Sequence, residues 1–175
     1  IIDFSRPQNS IDILSFASKE NIPVVIGTTG FNDTELNEIN RISKEVPLLI
    51  APNTSMGIAI FKKILDHSKE VIQTVPSIEI YEKHHEEKKD SPSGTAINLK
   101  EQLIKILPSK DIQIVSARKG DSPGEHSLVL SFEGETLEIS HKVSDRSIFA
   151  KGAIIAGKWL KNKQPGSYTM QDIYS

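Results

Sequence analysis

The chain has 175 residues, 37% of them hydrophobic and 25% charged, with a formal net charge of -2 and a pI near 6.2. That composition fits a soluble globular chain with core enough for one large domain or two small ones, and its near-neutral balance argues against a nucleic-acid partner. Cysteine is absent, which removes disulfides and thiolate zinc sites. No apolar run reaches the roughly 18 residues a membrane span needs and no signal-peptide pattern opens the chain, so the cytoplasm is the expected compartment.

In chain order, residues 1–5 read as a short apolar strand. Residues 9–20 place Ile11, Leu14 and Ala17 at helical spacing, and 22–28 form a β-branched run. A helix over 33–45 with Leu36, Ile39 and Ile42 on one face and a third strand over 47–51 complete a strand-helix alternation. Strands buried on both faces, each followed by a helix, imply half of a doubly wound parallel α/β domain. The pattern then changes. A helix over 55–73 leads to a strand over 77–84, and a second helix is expected over 93–107. Three strands follow without helices, at 112–119, 126–133 and 136–143, the last two joined through Gly134 as a hairpin. This stretch reads as an α+β unit with a mixed, mostly antiparallel sheet. A last helix over 146–162 has no strand partner of its own in this reading and is free to return to the first unit.

Ligands of open α/β sheets gather at the carboxyl ends of strands. Here those ends are Gly27-Thr28-Thr29-Gly30 and Ala51-Pro52-Asn53-Thr54. Ordinary turn chemistry accounts for either one alone, and two at consecutive strand ends shift the balance toward a ligand. The strand over 77–84 ends in His84 and His85, followed by Lys88 and Lys89, and Ser93-Gly94-Thr95 has the marks of a capped helix start. First-turn amides and the positive dipole end suit an anion such as a carboxylate, with a proton donor beside it. The segment EKHHEEKKD also reads as a solvated charged loop. A metal site is disfavoured, because adjacent histidines lack the three- or four-residue ligand spacing and no second cluster exists.

The segment EKHHEEKKDSPSGTA resembles the signature of the dihydrodipicolinate reductase family, and IDFSRP, VIGTTGF, APNTSMG, the Gly-x-x-x-Gly-Glu-His at 120–126, ISHKVSDRSIFAKGA and YTMQDI agree with it in order and spacing. The resemblance spans essentially the whole chain. It implies an oxidoreductase of lysine and diaminopimelate biosynthesis that uses NADH or NADPH to reduce a small cyclic dicarboxylate, dihydrodipicolinate or its hydrated precursor, to tetrahydrodipicolinate. It assigns proton donation to His84 and Lys88 and substrate contact to His85, Gly94 and Thr95. Cofactor contact falls on Gly27, Thr28, Thr29, Ala51, Pro52, Asn53 and Thr54, the last standing where a larger residue is common in the family. No metal is implied.

The resemblance also implies a partial Rossmann-type domain over 1–53 and 147–175, a substrate and oligomerisation domain over 54–146, and a homotetramer. Because the family's opening strand and Gly-x-x-Gly-x-Met-Gly turn are not in the sequence, an N-terminally truncated sequence is expected. A non-catalytic dicarboxylate-binding or assembly fragment is the alternative.

Overall fold

The computed structural model describes residues 1–174, which form two compact units: residues 1–56 with the C-terminal stretch from Ser147, and residues 57–146.

The first unit opens with β1 (Ile2–Asp3), α1 (Pro7–Glu20), β2 (Val24–Ile26), α2 (Asp33–Ile42) and β3 (Pro47–Ile50). Proline at the start of α1 costs nothing, since its missing N–H would have no partner there, and α1 ends where Asn21 turns left-handed at φ 53°. A capping box starts α2: the Asn32 side chain accepts from the Glu35 amide at 2.9 Å while the Glu35 carboxylate accepts from the Asn32 amide at 2.8 Å. Pairing is parallel throughout, with Ile26 opposite Ile50. Alternation sends Val24 and Ile26 into a core with Leu14, Ala17, Ile39, Ile42 and Leu48. Each Val, Leu or Ile there contributes about 1.5–3 kcal/mol by leaving water. The closing helix α6 (Ser147–Leu160) packs against the sheet, with Gly157 lying near Ile2 and Val25.

Contrary to the sequence reading, α6 does have a strand partner. A short strand, Gly166–Tyr168, follows it and pairs parallel with β3, so the sheet has four strands. Three residues of Gly-Ser-Tyr carry no readable periodicity.

In the second unit the helix expected over 55–73 is two: α3 (Met56–His67) and α4 (Lys69–Ile72), divided where Ser68 leaves helical geometry at φ -97°, ψ 9°. Then come β4 (Ser77–His84), α5 (Gly94–Ile106), β5 (Gln113–Arg118), β6 (Gly124–Phe132) and β7 (Glu135–Val143). The sheet order is β5-β4-β6-β7, parallel only between β4 and β5. Ile78 and Ile80 point to a core shared with Phe61, Leu65, Leu99, Leu103, Leu128 and Leu130. By the same alternation Glu82 and His84 point to that face too, at the end of the strand.

Candidate active site

Glu82 and His84 are both buried, and the Glu82 carboxylate is the hub of their surroundings. One oxygen accepts from His84 Nδ1. The other accepts from Arg118 Nη2 at 2.8 Å and from the Ser93 amide at 3.3 Å, and the Ser116 side chain adds a further bond. Burial works to raise the Glu82 pKa, but these donors outweigh it and hold the carboxyl below its ordinary range, hence ionised. For His84, burial is the largest influence and pushes its pKa down. The Glu82 bond and charge push it back up, and the Lys88 and Arg118 charges push it down again.

The other face of the His84 ring meets His126 edge-on, with centroids 5.2 Å apart. His126 Nε2 is hydrogen-bonded to Ser93 Oγ at 3.0 Å, and burial first, then the His84 charge, lowers its pKa to about 4, so its ring is neutral at pH 7. Glu82, His84 and His126 are close enough together to suggest a metal cluster. The Glu82 oxygens, however, are already taken by the donors described above, and a hydrogen-bonded network accounts for the grouping without an ion.

Gly124 has φ +156°, and a Cβ there would come within 3.0 Å of His84 Nε2. A side chain at that position would press on the nitrogen that Glu82 leaves uncommitted. The backbone of the following loop is also fixed: the Lys119 amide donates to the His84 carbonyl at 2.9 Å and the His85 amide to the Ser122 carbonyl at 2.9 Å.

His85 lies outside this buried group. Its Nε2 accepts from Arg146 Nη2 at 2.9 Å, and both residues line a cavity of about 510 Å³ together with Glu86, Glu87, Gly120 and Asp121. His84, Lys88 and Gly94 are not among its lining residues. Lys88 is half-buried and ion-paired with Asp90 at 2.6 Å. Ser93 caps α5 by accepting from the Ala96 amide at 3.2 Å, as its sequence position predicts. Gly94 and Thr95 then occupy the first two helical positions, whose amides the helix itself cannot satisfy. A Cβ on Gly94 would meet no atom within 4 Å, so packing does not demand glycine there.

In the first unit, parallel pairing of β2 with β3 brings the loops at 27–30 and 51–54 side by side. Their side chains divide. Thr28 is buried and donates to Asp3 at 3.3 Å, and Thr54 is buried and donates to the Phe149 carbonyl at 2.7 Å. Ala51 is buried, with its amide on the Ile26 carbonyl at 2.8 Å. A Cβ on Gly27 would lie 2.1 Å from the ring of Phe4, an exposed side chain free to swing aside, so packing alone does not demand glycine there. Thr29 and Pro52 are exposed, Asn53 is half-buried, and Gly30 holds φ +84° in open space. A flat ligand at these loops could be met by backbone groups, by Thr29 and by Asn53, whose Oδ1 already accepts from the Ser55 amide at 2.8 Å.

Sequence reasoning missed Glu82, Arg118, Ser116, Gly124 and Arg146. The early signals for Glu82 were its place at the head of the EKHHEEKKDSPSGTA motif and its two-residue offset from His84, which puts both on one face of the strand.

The chain combines a parallel-sheet α/β unit with a mixed-sheet α+β unit, the latter carrying a buried carboxylate-histidine pair at a strand end beside a capped helix start, an arrangement able to move a proton next to an anion. Residues 1–54 match the profile described as dihydrodipicolinate reductase, N-terminus, and residues 57–174 that described as dihydrodipicolinate reductase, C-terminus. The chain belongs to the dihydrodipicolinate reductase family, whose members are oxidoreductases drawing on a pyridine nucleotide. The 4-hydroxy-tetrahydrodipicolinate reductase of Buchnera aphidicola subsp. Cinara cedri (strain Cc) is 38% identical to it over 192 residues, covering 99% of this chain and 70% of that protein. Among solved structures, dipicolinate-bound dihydrodipicolinate reductase from Paenisporosarcina sp. TG-14 shares the fold with a TM-score of 0.84 at 23% identity, over 98% of this chain and 72% of that one. Amine dehydrogenase from Mycobacterium smegmatis shares it more distantly, with a TM-score of 0.61 at 9% identity over 98% and 74% of the two chains. Among the described residues no helix is long and apolar enough to cross a membrane.

Proposed function

We propose that this chain reduces dihydrodipicolinate, or its hydrated 4-hydroxy-tetrahydrodipicolinate precursor, to tetrahydrodipicolinate in lysine and diaminopimelate biosynthesis, using NADH or NADPH. Family membership and the name of the Buchnera relative support the reaction. The Paenisporosarcina reductase holds dipicolinate, which supports a small cyclic dicarboxylate as the substrate class. The single observation that carries the site is the state of His84: Nδ1 tied to an ionised Glu82, Nε2 uncommitted opposite a glycine.

When bound, the nicotinamide supplies the hydride. Gly27, Thr28, Thr29, Ala51, Pro52, Asn53 and Thr54 would hold it, with Thr29, Asn53 and backbone groups in contact and the buried residues keeping the loops in shape. His84 and Lys88 donate the proton, the histidine from Nε2 and the lysine after release from Asp90. His85 and the first-turn amides of Gly94 and Thr95 receive the substrate carboxylates. In this reading residues 1–53 and 147–175 serve the cofactor, and 54–146 serve the substrate and a homotetramer formed through the sheet of the second unit, whose outward face carries exposed Tyr81 and Val115. A non-catalytic dicarboxylate-binding role is less favoured, because it gives a buried, carboxylate-tethered histidine nothing to do.

His84→Gln and Lys88→Ala are each expected to lower kcat by about 100-fold with a smaller change in KM. Steady-state turnover of dihydrodipicolinate is the test, and wild-type kcat in both variants would remove the acid assignment.

A further inference from the structure

We propose that Glu82 is the positioning residue for His84: it fixes the imidazole with its Nδ1 proton toward the carboxylate, so that Nε2 is the atom carrying the transferable proton. This rests on the reading of His84 as the acid.

The Glu82 side chain has no exposed surface. Keeping a carboxylate ionised away from water costs several kcal/mol, and a merely structural purpose would be served about as well by apolar side chains in place of Glu82 and its charged partner Arg118 together. Here the charge is kept by four donors on three elements: His84 on the same strand, Arg118 and Ser116 on β5, and the Ser93 amide at the cap of α5. Arg118 also donates to the Asp90 carbonyl at 2.6 Å, so the same arrangement ties down the loop that bears Lys88.

An ionised carboxylate can only accept, so His84 Nδ1 must donate to it. In the neutral ring that leaves Nε2 unprotonated, and the second proton can enter and leave only there. The groups facing the ring set how readily it does so. Glu82 favours the imidazolium. Lys88 from the loop and Arg118 from β5 oppose it, and His126 from β6, with His141 beyond it on β7, contributes a neutral wall at pH 7.

This arrangement predicts an inversion in Glu82→Gln. Arg118 and the Ser93 amide still demand an acceptor, so the new carbonyl oxygen faces them and the new NH2 group faces His84. Nδ1 then has to accept, and the neutral ring is forced into the Nε2–H form with no negative charge to stabilise the imidazolium. Nitrogen-15 NMR of the His84 ring is expected to read Nδ1–H in the wild type and Nε2–H in Glu82→Gln. Turnover is expected to fall by about tenfold or more in kcat with KM within about threefold. The high-pH limb of the kcat profile is expected to move down by about one unit, because an acid with lowered pKa loses its proton earlier. Glu82→Asp keeps the charge, and part of the kcat and the Nδ1–H form are expected to return.

A Glu82→Gln variant that keeps Nδ1–H, its kcat and its pH profile while the wild type reduces dihydrodipicolinate overturns the positioning role and leaves the reductase reading intact. If instead the wild type fails to reduce dihydrodipicolinate, the reductase reading is what falls, and the ring measurement still decides whether Glu82 sets the tautomer.

Discussion

Two regions of this protein share a description at the level of sequence: small and polar residues at the carboxyl ends of parallel-paired strands. They differ in where the polar groups point. At the ends of β2 and β3 the hydroxyls of Thr28 and Thr54 turn inward, onto Asp3 and the Phe149 carbonyl, and serve the fold. At the end of β4 the polar groups also turn inward, but they converge on a carboxylate that leaves one ring nitrogen of His84 unclaimed. Burial alone therefore does not separate a polar group that serves the fold from one proposed to serve the reaction. The useful question is whether the donors and acceptors around it satisfy each other completely.

The largest effect that could break this contrast lies at Gly152. A Cβ there would sit 1.8 Å from the Thr54 carbonyl oxygen and 2.9 Å from its carbon, both backbone atoms that cannot swing away. Gly152→Ala is expected to cost about 4 kcal/mol or more in the first unit, by prising α6 from the 51–54 loop. Amide hydrogen exchange should show lost protection in β2 and β3 and unchanged protection in β6. Neutral stability of this variant would mean that Thr54 is not clamped as described, and the structural reading of its hydroxyl would go with it.

Much of this was legible beforehand, and the reasons are local. Period-2 runs such as IEIYEKH and β-branched runs such as VVI fix the strands, and Ser93 announces α5 because a cap is chemistry confined to a few residues. His84, His85 and Lys88 were legible through a long motif. The strand Gly166–Tyr168 was not, because its pairing with β3 comes from tertiary contact and no periodicity survives in three residues. The break at Ser68 had no sequence signal that we identify. Glu82 was hidden for another reason: its meaning depends on Arg118 and Ser93, which are 36 and 11 residues away.

A smaller effect sharpens the comparison through pH. All five histidines lie in the second unit. His126 has a folded pKa of about 4, below its unfolded value of about 6.5, so the unfolded chain binds the proton first and stability is lost as pH falls through that window. His84 and His141, also lowered, act in the same direction. Asp3 is different. Burial works to raise its pKa, but hydrogen bonds from Ser10, Ser5 and Thr28 hold it below the ordinary value, so its contribution stays intact down to about pH 4 and is lost only below that. Between pH 6.5 and 4 the second unit is expected to lose on the order of 2–3 kcal/mol to His126 alone, while the first holds steady. Exchange protection of β6 against that of β2 reads the two separately, and His126→Gln should flatten the slope in β6. An equal slope in both units would show that the buried histidines are not its source.

The smallest effect on stability, and the one that isolates ligand from fold, is expected at the start of α5. Gly152 and Gly94 are both helical glycines, yet a Cβ at the first strikes backbone and at the second meets nothing within 4 Å. If a substrate carboxylate takes the space beside Gly94, as proposed, then Gly94→Val should leave unfolding midpoints within about 0.5 kcal/mol of wild type. The same variant should raise KM for dihydrodipicolinate by about tenfold or more, because the added methyls occupy the approach to the first-turn amides. Thr95→Val removes a hydroxyl but keeps those amides, and its KM should rise by no more than about threefold. The order of the two is the informative result. Equal and small changes would put the carboxylate elsewhere, leaving the helix start as a cap and nothing more, whereas a Gly94→Val protein that unfolds early would mean that glycine is there for the backbone after all.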